Sequence, residues 1–230
     1  MAEELGKIEK PEAGQFENKR KIYLVPLLYS WEGAPTEYVE KFNLYWQQVS
    51  EHIANLESKI GEVNRIYHES ITIAGEDGLK VLERLNPASC QIAMEKCQSG
   101  AQVEVAEDAE LTEENMDWER HLLMGFISRK VAKIVSDFFM EASKKRYEYI
   151  ARRIDETLKG KEVALLFIRE GHGVQFPPDI EVFSVAPPAL DEIHRWLRDR
   201  SSRDEKGDRE ADNQTEETAD EKSDEKAEPS

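Results

Sequence analysis

Residues 162–168 read EVALLFI, with Gly160 just before and Arg169-Glu170-Gly171 just after. Six consecutive apolar side chains, Val163 to Ile168, cannot alternate between core and solvent. The run therefore predicts a strand buried on both faces, of the kind found in the middle of a sheet with helices on each side.

Upstream of that strand lies a helical pattern of unusual length. From Thr112, apolar residues recur at three- and four-residue steps through Met116, Ile127, Phe138 and Ile150 to Leu158, and Gly160 stops them. A span over 112–159 far exceeds a typical helix of roughly 8–20 residues. It predicts one break, near Gly125 or around Ser143, or else a projecting helical hairpin or coiled-coil dimerisation element.

The rest of the chain alternates strands and helices. KIYLVPLLYS (21–30) reads as a strand in which Pro26 argues for an edge or a bulge. From Pro35 a helix follows, with Tyr38, Phe42, Tyr45, Val49, Ile53 and Ile60 on one face and Gly61 at its end. RIYHESITIAG (65–75) predicts a second strand, 76–85 and 88–98 two short helices split at Asn86-Pro87, and AQVEVAED (101–108) a short third strand or a connector. After the long helix and EVALLFI, a loop rich in Gly and Pro leads to IEVFSV (180–185), and Pro188 opens a final helix.

Helices between most strands put the chain in the α/β class. The expected architecture is an open mixed sheet of about four or five strands with flanking helices and one unusually long helix or helical hairpin. The loop before IEVFSV carries no helical period, so the last strand is open to an antiparallel or a non-adjacent placement.

Charge is unevenly spread. The 230 residues carry 31 Lys and Arg against 48 Asp and Glu, a formal charge of -17. The segment 199–230 holds 13 acids, 6 bases and no Val, Ile, Leu, Met or aromatic residue, so no apolar burial offsets the entropy of ordering it. The organisation expected is a flexible segment over 1–19, a single α/β domain over 20–198, and a disordered acidic tail over 199–230. A basic protein is the partner such a tail would suit.

Composition also excludes classes. Two cysteines, Cys90 and Cys97, make no disulfide scaffold. No run of 18 apolar residues spans a bilayer and no leading apolar stretch reads as a secretion signal, so a cytoplasmic protein without a membrane partner is expected. Nucleic acid is not an expected partner, because residues 1–198 still hold 35 acids against 25 bases.

The candidate site lies just after EVALLFI, since ligands of α/β sheets gather at the carboxyl ends of strands. His172 between Gly171 and Gly173 is the candidate acid or base, Glu170 the group that orients it, Arg169 the fork that holds an anion, and Gln175 a second substrate contact. Tyr67, His68, Glu69 and Ser70 cannot all face one site from a regular strand. The bases Lys144, Lys145, Arg146, Arg152 and Arg153 are interspersed with acids and read as a solvated face. No spacing of the five histidines suggests a metal, and nothing resembles a phosphate-binding loop, so neither metal nor cofactor is expected. Two function classes follow: a non-catalytic interaction module that self-associates through the long helix, or a hydrolase or transferase acting on an anionic substrate through His172.

Overall fold

The computed structural model describes residues 18–202; the acidic tail beyond 202 and the segment before 18 lie outside the described residues. The described chain divides into two compact units, 18–29 with 46–186 and 30–45 with 187–202.

The larger unit is built on a five-stranded sheet. Its strands are β1 (Arg20–Pro26), β2 (Arg65–His68), β3 (Gln102–Val103), β4 (Val163–Ile168) and β5 (Ile180–Ser184), in the order β3-β2-β4-β1-β5. EVALLFI is thus the middle strand, and all six residues of β4 are buried. Every pairing is parallel, which corrects the mixed sheet expected from the sequence. The reason lies in 169–179, an extended crossover without a helix. At about 3.3 Å per residue it is long enough to return down the face of β4 and deliver β5 beside β1 rather than beside β4.

Pro26 does not put β1 at an edge, because β1 lies between β4 and β5. Lys21 and Leu27 donate their N–H groups to Glu162 and Ile168 on the β4 side, so Pro26, out of phase with them, faces the β5 side. There the pairing has already ended at Leu24 and Ser184, and the missing proline N–H leaves no gap in the ladder.

Helices cover both faces of the sheet. On one face Ile22, Tyr67, Leu166 and Ile168 pack against Ile150 and Ile154 of α5 (Arg129–Thr157) and its C-cap Leu158, and Val174 of the crossover completes that cluster. On the other face Trp46 of α1 (Thr36–Glu57) lies 6.1 Å from the Phe167 ring, and Ser89 of α3 (Pro87–Gln98) meets His68. The split between α2 (Gly75–Leu85) and α3 falls at Asn86-Pro87 as predicted. Asn86 caps α3 by accepting the Ser89 N–H at 3.1 Å, and Pro87 occupies its first turn.

The long helical stretch breaks once, at Gly125. α4 (Ala109–Leu123) ends there because Gly125 takes the left-handed conformation, φ 72°, that stops a helix. Ser128 then starts α5 by accepting the Val131 N–H. The two helices form an antiparallel hairpin, with the Trp118 and Phe138 rings stacked 4.9 Å apart and the Asn115 amide donating to Ser143 Oγ at 2.7 Å.

In the smaller unit the expected last helix runs through 188–202. Its Trp196 ring lies 5.3 Å from Tyr38, which also meets Trp31, and Lys41 pairs with Glu192 at 3.7 Å.

Candidate functional site

The chain leaves β2 toward β3 and leaves β4 toward β5, on the opposite side, so the carboxyl ends of these neighbouring strands are where an α/β sheet opens a crevice. In this protein that position is filled by charged side chains. Glu69 follows β2, Glu107 lies four residues past β3, Arg169 follows β4, and Arg146 reaches in from α5.

Arg146 is the hub. Its Nη2 donates to Glu69 Oε1 at 2.8 Å, its Nε and Nη2 form a fork on Glu107, and its Nη1 reaches Asn115 Oδ1 at 3.5 Å. Burial is nearly complete: the side chains of Arg146, Glu69 and Glu107 are 4%, 2% and 0% exposed. The remaining carboxylate lone pairs are taken too. Glu107 accepts from the Ser70 N–H at 2.8 Å and from Thr112 Oγ1 at 2.7 Å, while Glu69 accepts from the backbone N–H of Arg169 at 2.7 Å and from its Nε. Arg169 Nη1 continues the chain outward to Glu119 of α4 at 3.2 Å. Such completeness is what makes buried charges tolerable.

The electrostatics agree. Burial alone would raise the Glu69 carboxyl, but Arg146, Arg169 and their hydrogen bonds hold it below the ordinary carboxylate range. Burial would also lower the Arg146 guanidinium, and Glu107 and Glu69 more than offset it. His68, on the opposite face of β2, has its Nε2 3.1 Å from Ser89 Oγ; burial lowers it to about 4 against the pull of Glu69, so the ring is neutral at pH 7. A continued strand would put Ser70 on the same face as His68, but β2 ends at His68 and Ser70 takes a left-handed φ of 71°.

The four residues singled out from sequence are not brought together in one cleft. Arg169 does stand at the strand end, but its Nε, Nη1 and backbone N–H are engaged by Glu69 and Glu119. Glu170 is exposed. His172 is half-buried, edge-on to Tyr147 at 6.5 Å and to Phe176 at 6.1 Å, and its Nδ1 accepts the Val174 N–H at 3.3 Å. Burial pushes this imidazole below its ordinary value, with the Glu69 charge opposing. Gln175 is exposed and lines an open groove of about 360 Å³ with Phe139, Met140, Ser143 and Tyr147. The glycines around His172 have distinct reasons. Gly171 takes φ 72°, and a Cβ on Gly173 would come within 3.1 Å of the Tyr147 ring.

Arg146 corrects the sequence expectation for the basic patch. Lys144 and Lys145 are exposed and pair along the helix with Glu148 and Glu141, but Arg146, next after them, points into the core. The signal was present: Ala142, Ile150 and Ile154 form a four-residue series in which position 146 is the gap.

A second feature stands at the far end of α5. Sixteen large apolar side chains are exposed among the described residues, and eight of them lie between Met116 and Met140. Val131, Ile134 and Phe138 form one flank of α5 beside Trp118, while Leu123, Met124 and Ile127 crown the turn between the helices. Val135 and Ala142 of α5 are buried, whereas Val131, Ile134 and Phe138 stay about half exposed, Phe138 with one ring face against Trp118. Among the described residues no group of three or more His, Cys, Asp or Glu side chains is placed to hold a metal, and no helix is long and apolar enough to cross a membrane. No protein-family model matches the chain, and no curated protein or solved structure is significantly similar to it.

Proposed function

We propose that this protein is a non-catalytic interaction module, cytoplasmic in setting, whose working surface is the α4–α5 arm and which self-associates through that arm. The observation that carries the reading is the concentration of exposed large apolar side chains between Met116 and Met140. Surface hydrophobics scattered singly need no explanation, but a contiguous set marks a contact surface. Two antiparallel helices bury only the seam between them. A second pair laid on the flank Val131, Ile134 and Phe138 would complete a four-helix bundle.

The contrast with the strand-end cluster supports this reading over a hydrolase or transferase. A catalytic anion site would need Arg169 free to bind substrate, whereas its Nε and Nη1 already hold Glu69 and Glu119. His172 spends Nδ1 on its own loop.

Sedimentation velocity of the full chain over a range of concentrations tests the proposal. Concentration-dependent dimerisation that Val131→Asp with Ile134→Asp abolishes, at unchanged circular dichroism, is the expected result. A strictly monomeric chain throughout the range contradicts it.

A further inference from the structure

We infer that the tip of the α4–α5 arm is a peripheral docking point for an anionic phospholipid bilayer. This rests on reading the arm as the working surface, but it uses a different set of side chains from the flank. The tip is the turn LLMGFI (122–127), where Leu123 and Met124 are 84% and 81% exposed and Ile127 is fully exposed. These are the three most exposed large apolar side chains among the described residues. They crown a projecting turn and line no groove. A convex apolar knob needs a partner that yields around it, and a lipid interface does so without a matching socket.

The charges behind the knob select the kind of lipid. Arg120 on α4 and Arg129, Lys130 and Lys133 on α5 lie beside it; Arg120 pairs with Asp117 at 3.1 Å and Lys133 with Asp137 at 2.8 Å. All four bases are exposed, and with Arg120 and Lys133 offset by Asp117 and Asp137 it is Arg129 and Lys130 that give the tip a net positive charge in a chain of formal charge -17. At 1.5 Å per helical residue, Lys133 lies about 6 Å along α5 from Arg129, the first helical residue behind the turn. That matches the roughly 5–10 Å to which apolar faces enter the headgroup boundary, and it sets the bases at the level of lipid phosphates.

The acidic remainder of the protein does not defeat the contact. Ser143, where α4 and α5 join the strand-end cluster, is about 21 Å along α5 from its first residue, Arg129. That is about two and a half Debye lengths at physiological salt, so repulsion from the body is largely screened while the arm reaches the surface. The contact is peripheral, in keeping with the absence among the described residues of a helix able to span a bilayer.

Co-sedimentation of the full chain with vesicles tests this, using phosphatidylcholine alone or with about a third phosphatidylserine, while sedimentation velocity follows self-association in parallel. The expected result is binding to the anionic vesicles only, weakened by raising salt from about 0.1 to 0.5 M. Leu123→Asp with Ile127→Asp should reduce it at least tenfold, and Arg129→Glu with Lys130→Glu should do likewise; every side chain replaced is exposed, so circular dichroism should not change. Equal binding to neutral vesicles, no binding, or binding indifferent to both double variants would overturn the inference. So would tip variants that alter self-association while vesicles go unbound, which would assign the tip to a protein contact. Loss of vesicle binding by the native chain alongside intact self-association sinks this inference and leaves the proposed function standing; the converse pattern sinks the self-association.

Discussion

The two ends of the structured arm invert the usual partition of a protein surface. Near its middle α5 sends an arginine into the core, where Arg146 is enclosed by Glu69 and Glu107, and in its first turns it leaves Val131, Ile134 and Phe138 in the open. One helix thus buries a charge and exposes apolar side chains. Each departure from the rule that apolar groups go inside has its own account. The charge is tolerated because its donors and the two carboxylates are matched, and the apolar flank is uncovered because only α4 lies against that part of the helix. The buried end is therefore an architectural lock on strand ends, and the open end is where another surface belongs.

Removing the hub should have the largest effect. Arg146→Met leaves Glu69 and Glu107 buried without their principal partner, and unpaired buried charge costs about 3–5 kcal/mol. Urea unfolding should show that loss, and adding Glu69→Gln and Glu107→Gln to the same variant should recover part of it. A loss below about 1 kcal/mol would mean that the cluster does not hold the strand ends.

Acid should act on the same end of the molecule. His68 has a folded-state value of about 4 against an unfolded value of about 6.5. Only the unfolded chain takes up this proton as pH falls between those values, so stability is full above about 6.5 and declines toward 4, by about 3 kcal/mol from this group. His172 is shifted in the same direction and adds to the decline. Glu69, held below its ordinary value, withdraws further stability as pH drops under the normal carboxylate range. Melting temperatures across pH 4–8 should follow this course, and His68→Gln should flatten the slope between 6.5 and 4.

Smaller effects mark the boundary between the two regions. Gly173→Ala brings a methyl group to within 3.1 Å of the Tyr147 ring, which must shift, at a cost of about 1 kcal/mol by thermal denaturation. Smallest of all is the expected effect on the folding of an isolated copy of Val131→Asp with Ile134→Asp, which leaves the Trp118–Phe138 stack intact. Exposed positions change stability by no more than about 0.5 kcal/mol, so at concentrations too low for association the variant should unfold like the native chain.

What the sequence discloses follows the same division. EVALLFI and the Asn86-Pro87 split are local signals, carried by adjacent side chains, and each was legible; the break of the long helix was legible only as one of two places, Gly125 or Ser143, and the left-handed backbone of Gly125 decides between them. The parallel sheet was less legible, because the crossover 169–179 returns the chain without the helix that normally announces it. The cluster was hidden because Glu69, Glu107 and Arg146 come from three distant segments, each looking like a surface charge in its own neighbourhood. The apolar flank misleads in the opposite way. Val131, Ile134 and Phe138 have the spacing of a core face whether or not anything covers them, and the fold leaves each about half exposed.

The central claim is that the open flank of α5 is a contact surface between copies. Light scattering coupled to size exclusion, applied to the full 26.5 kDa chain and to its Val131→Asp/Ile134→Asp variant, addresses it directly. The account predicts twice the chain mass for the native protein at micromolar concentration and a single chain mass for the variant. A native protein that elutes at the single chain mass at every concentration, or a variant that stays dimeric, contradicts it.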